Sequence, residues 1–136
     1  MKTGRVKKAL TATAILIALF FVLTEACILY YLKSYGYGIK ELPQTTLVYF
    51  HLSEGFSVDD SGRFIGRHSY SFYNELFEEK GYYKSDQMGL DLFYKKTGNK
   101  NDDHHHDFVL SCCNEWCHWF RLYDLTDDMR IEDFTD

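Results

Sequence analysis

Six side chains of the metal-ligating kind gather near the end of the chain: His104, His105, His106, Cys113, Cys117 and His118. Zinc takes four nitrogen and sulfur ligands of these types, and copper accepts the same imidazoles and thiolates. An extracytoplasmic metal-binding module would therefore draw on His104, His106, Cys113, Cys117 and His118. The spacing argues the other way. There is no CxxC or HxxxH pair, and adjacent histidines on an extended chain point in opposite directions, so at most two of the three serve one ion. A solvated polar loop with incidental metal affinity is the plainer reading, and no cofactor is expected.

Cysteine chemistry offers a second possibility. A hairpin turning at Asn114-Glu115 would set Cys112 opposite Cys117, close enough for a disulfide if the segment lies outside the cytoplasm. Cys113 would then be left over, buried or paired with another chain. On one continuous strand, by contrast, Cys113 and Cys117 would stand roughly 13 Å apart and could not bond.

Catalysis has no anchor. GxSxG, P-loop and dinucleotide-binding glycine patterns are all absent. Cys117 and His118 are neighbours in sequence, which sends their side chains to opposite faces of a strand. The carboxylates are scattered over loops and tail, so the chain is expected not to be an enzyme. Trp116 and Trp119, with Phe120 and Tyr123, form either an exposed aromatic patch for a protein partner or part of a strand core.

These groups need elements to hold them, and the longest element lies elsewhere. Residues 9–32 are apolar apart from Thr11, Thr13, Thr24 and Glu25. As a helix they would run about 36 Å, enough to cross a hydrocarbon core of about 30 Å. Twelve are Leu, Ile, Val or Phe, a contribution of about −4 to −7 kcal/mol that outweighs one off-centre acid. The segment is expected to be an uncleaved signal-anchor. A cleaved signal would use Thr24-Glu25-Ala26, but the apolar run resumes through Leu32 without a breaker. A lipid on Cys27 would want leucine and a small residue ahead of it, where Thr24 and Glu25 stand. Glu25, the intramembrane carboxyl, is either an interfacial group or the point at which the chain joins a membrane complex as a small subunit.

Lys2, Arg5, Lys7 and Lys8 precede this stretch, while Lys33 and Lys40 follow it. The positive-inside rule then sets a chain crossing the cell (inner) membrane once, N-terminus cytoplasmic and C-terminal domain periplasmic or extracellular. Of 15 Lys and Arg, four precede residue 33, and of 20 Asp and Glu only Glu25 does, so the remainder carries a formal −8. Such a body repels nucleic acid and is steered toward a protein with a basic surface, in an accessory or immunity-like role.

The organisation expected is a basic leader (1–8), the membrane helix (9–32), a linker (33–44), an α+β domain (45–124) and an acidic tail (125–136). Hydrophobic residues make up 46% and aromatic residues 18% of the 136, enough for a packed core and against disorder. Within the domain, Thr45–Leu52 is β-branched and aromatic and reads as a strand. Phe56–Ile65 reads as a hairpin around Asp59-Asp60-Ser61-Gly62. Ser69–Lys80 has a helical apolar face, a capping serine and Gly81 at its end. Gly89–Lys96 and Asp107–Tyr123 supply two or three more strands, and Thr126-Asp127-Asp128 is placed to start a short helix. The fold class is thus α+β: a transmembrane helix, then a small antiparallel sheet with one main helix.

Overall fold

A computed structural model describes residues 2–98 and 105–135. They divide into two compact units, 1–42 and 43–136. The first is built on α1 (Lys2–Ser34), longer than the apolar run because its basic leader continues the same helix. It is long and apolar enough to cross a membrane. Leu10, Ile15, Leu19 and Phe20 are all exposed on it and point to different sides of the helix, so apolar residues cover more than one face, as lipid contact requires. The predicted exit linker is a built turn rather than a loose tether. The Tyr37 amide donates back to the Leu32 carbonyl (2.9 Å), and the Gly38 amide donates to Glu41 Oε2 (2.8 Å).

The expected strand at Thr45–Leu52 is instead a helix, α2 (Leu42–Tyr49). Pro43 in its first turn presets a helical φ and gives up an amide that would go unpaired anyway. The buried pair Thr45 and Val48 sits three residues apart, a helical spacing. The β preference of valine, threonine and tyrosine reflects packing on a sheet more than backbone, so this local context overrides it.

The second unit continues with β1 (Gly55–Ser57), β2 (Arg63–Gly66), α3 (Tyr70–Glu79), β3 (Tyr82–Met88), β4 (Asp91–Lys96), β5 (Phe108–Cys112), β6 (Arg121–Leu125) and a 3-10 turn at Ile131–Asp133. The strands form one antiparallel sheet in the order β1-β2-β6-β5-β4-β3. The α+β expectation, an N-terminal helix followed by an antiparallel sheet with a main helix, describes this architecture. The 56–65 hairpin is β1 and β2, with Gly62 at φ 93°, in the left-handed region its turn demands. α3 begins at Ser69, whose side chain accepts from the Phe72 amide (3.2 Å), and closes at Gly81.

α3 lays Tyr73, Leu76 and Phe77 on the sheet, where they meet Leu92, Tyr94, Phe108, Leu110 and Tyr123. Phe77 packs edge-on to Tyr94, Phe108 and Phe134, at centroid distances of 4.9, 5.1 and 4.5 Å. Phe134 comes from the segment expected to be an acidic tail. That segment belongs to the domain: Ile131 and Phe134 are core residues, and Glu132 accepts from the amide and hydroxyl of Ser57. Two apolar residues three apart outweigh the acids around them, which stay on the outside. Thr126–Asp128 starts no helix, because Asp127 and Asp128 adopt φ of 61° and 58°.

Candidate functional site

The strands expected to meet in a tight turn at Asn114-Glu115 end earlier, at Cys112, and resume at Arg121. The chain between them is a structured loop, 113–120, hung on a buried asparagine. The Asn114 side-chain amide donates to the Phe120 carbonyl (3.4 Å), and its oxygen accepts from the Leu122 amide. Its backbone carbonyl accepts from the Cys117 amide (2.9 Å), and the Cys113 amide donates to Leu122 (2.7 Å). Cys117 and Phe120 plug the loop into the interior. Each hydrogen bond contributes about 1 kcal/mol, and cutting out Asn114 would leave buried backbone groups unpaired.

This geometry corrects the cysteine reading. Cys112 faces Tyr123 across the sheet, not Cys117, and Cys112, Cys113 and Cys117 are all free thiols. Eight residues between the strands, rather than two, move Cys117 off the ladder. Cys113 is exposed, but partial burial of its sulfur and then the charge of Asp124 raise its thiol pKa, the reverse of an activated nucleophile.

The metal set is not assembled either. His104 lies outside the described residues. His106 rests on the Phe93 ring (4.6 Å) beside Ser85, whereas Cys117 is buried under the 113–120 loop and His118 turns toward Trp119 (5.6 Å). Among the described residues no three His, Cys, Asp or Glu side chains are grouped to hold an ion. Glu25 is half-buried on α1.

The aromatic candidates divide. Phe120, at the end of the loop, and Tyr123, on β6, are core, while Trp116 is 94% exposed at the crest of the loop beside Glu115. Trp119 lies against Tyr49 with centroids 5.3 Å apart and forms one wall of a cleft of about 480 Å³. The other walls come from Val48, Phe50 and His51 at the end of α2 and just past it, from Gly66, Arg67 and His68 at the end of β2 and just past it, and from His118. His51, Arg67 and His68 stand in no motif of the sequence. No local signal joins them: they lie in two segments far from residue 118 and meet only through the fold.

Arg67 is the fixed point of this cleft. Its Nε donates to Ser53 (2.9 Å) and its Nη2 to the carbonyl of His51 (3.2 Å), while the guanidinium lies 4.1 Å over the Phe72 ring. Its backbone is gripped from below by two buried tyrosines. The Tyr73 hydroxyl accepts from the Arg67 amide, and Tyr123 donates to the Arg67 carbonyl, both at 2.7 Å. Burial pushes both phenols far up, so they stay protonated. His68 Nε2 accepts from Arg121 Nη2 (3.3 Å). Burial first, then the charges of Arg121 and His118, lower its pKa and favour the neutral ring.

No protein-family model, no curated protein and no solved structure matches this chain.

Proposed function

We propose that the chain is a single-pass membrane protein whose C-terminal domain acts without catalysis, by binding another protein through the 113–120 loop. The observation that carries this reading is Trp116, almost fully exposed on a loop that Asn114, Cys117 and Phe120 hold rigid. An isolated indole held in water on a braced loop gains when a partner covers it, and little backbone freedom is left to lose. The acidic domain favours a partner with a basic surface, and Glu115 beside the tryptophan has the matching sign. An accessory or immunity-like protein has these requirements. The cations ahead of the apolar run favour a cytoplasmic N-terminus and an outer domain.

The test is co-purification in mild detergent at native expression, beside Trp116→Ala. A partner retained by the native chain and lost with the variant supports the reading. A clean monomer from both, or equal retention by both, overturns it.

A further inference from the structure

The cleft beside Trp119 differs in charge from the domain that carries it. Residues 33–136 have a formal −8, yet the cleft lining contains Arg67, His51, His68 and His118 and no Asp or Glu. Among the described residues no carboxylate pairs with Arg67, and its Nη1 donates to none of them. An unpaired guanidinium locked by two carbonyls and a ring, on a backbone held by two buried hydroxyls, has given up its side-chain freedom before any ligand arrives, which is what oxyanion recognition needs. His51 adds a strained contact. It sits at φ 60° in the position after α2 that glycine usually fills, with its amide donating to Val48 (3.0 Å) and the Leu52 amide donating to Leu47 (2.8 Å). That conformation is what brings its carbonyl to Arg67. Across the cleft, Tyr49 and Trp119 present flat apolar surface.

We infer that this cleft is a binding site for a small aromatic carboxylate, its charge at Arg67 with the histidines around it and its ring against Trp119. The volume falls within the range of small-molecule sites, and one polar end facing one aromatic wall fixes the ligand's orientation. A bare oxyanion such as phosphate would satisfy the cations but leave the aromatic wall wet. A neutral ring would do the reverse.

The experiment uses the full chain in a non-ionic detergent, with Trp116→Phe as background so that Trp119 alone reports by fluorescence. Benzoate, benzamide and inorganic phosphate are the probes. Benzoate is expected to quench Trp119 saturably, with benzamide and phosphate each at least about tenfold weaker. Arg67→Lys keeps the charge but loses the planar fork, and is expected to weaken benzoate by about tenfold. His118→Gln, on an exposed side chain whose ring contact is with Trp119 (5.6 Å), is expected to weaken it severalfold. The inference is overturned by no saturable quenching at millimolar benzoate, by equal response to benzamide, by phosphate binding as tightly as benzoate, or by unchanged affinity in both variants.

Discussion

Gly66 ends β2 directly before Arg67, and its missing side chain is a structural requirement. A Cβ built there falls inside the Tyr73 hydroxyl and 2.9 Å from both Tyr73 Cζ and the Phe64 ring, and both rings are completely buried. The hydroxyl in the way also accepts from the Arg67 amide and donates to the Glu54 carbonyl, each at 2.7 Å. Gly66→Ala therefore overpacks the core, at about 1–3 kcal/mol. Driving the phenol aside also breaks two hydrogen bonds at about 1 kcal/mol each. With overpacking at the low end of its range, a loss of about 3 kcal/mol is expected in total, a large share of the about 5–15 kcal/mol that holds a small domain folded. Tyr73→Phe removes the same two hydrogen bonds and is expected to lose about 2 kcal/mol. Because both changes forfeit the same bonds, the double variant should lose about 3 kcal/mol rather than about 5, a coupling of about 2 kcal/mol. Urea unfolding of the full chain in detergent, followed by near-ultraviolet circular dichroism, measures all four corners of the cycle. The reasoning is refuted if Gly66→Ala unfolds within 0.5 kcal/mol of the native chain, or if the two losses simply add, with ~0.5 kcal/mol as the tolerance in both cases.

Three further outcomes are expected. His51→Gly relieves a left-handed backbone at a helix end and should stabilise the domain by about 0.5–1 kcal/mol in the same urea assay, while the cleft loses an imidazole; a destabilised variant would contradict this. For Glu132, burial alone would raise the pKa, but hydrogen bonds from the Ser57 hydroxyl and amide outweigh it, and the folded value is lowered. Its stabilisation is thus present above the ordinary value of 4.5 and is lost as pH falls through the lower folded value. Glu132→Gln should cost about 1 kcal/mol at neutral pH, discounted for exposure, with the two unfolding curves converging in acid; a gap independent of pH would refute this. Finally, Cys113 is exposed while Cys112 and Cys117 are buried. A membrane-impermeant maleimide should label Cys113 slowly on intact cells if the domain faces outward, and Cys113→Ser should abolish the label. Labelling only after permeabilisation would place the domain in the cytoplasm.

What could be read in advance was what acts over a few residues. The apolar run dictates α1 because burying backbone amides in hydrocarbon requires a helix wherever such a run crosses a membrane. Ser69 and Gly81 bound α3 through hydrogen bonds to amides and carbonyls within one turn, and Asp59-Asp60-Ser61-Gly62 folds the first hairpin by its own side-chain and φ preferences. β3 has no sequence signature because Tyr82–Met88 is a largely exposed edge strand with an irregularity between Lys84 and Asp86, and carries no alternation. The α2 segment reads as a strand because its composition is β-rich, a weak preference that Pro43 and its surroundings reverse.

The tertiary structure alone decided the rest. The length of the 113–120 loop, and with it the separation of Cys112 from Cys117, depends on the register that Tyr123 takes opposite Cys112. The role of Phe134 depends on Phe77 being there to receive it. The cleft joins segments around residues 51, 67 and 118, and side-chain chemistry at such separations leaves no periodic or spacing signal along the chain. Local hydrogen bonds and apolar runs are written in consecutive residues; a site assembled from three loop regions comes into being only when the sheet and α3 close over a common core.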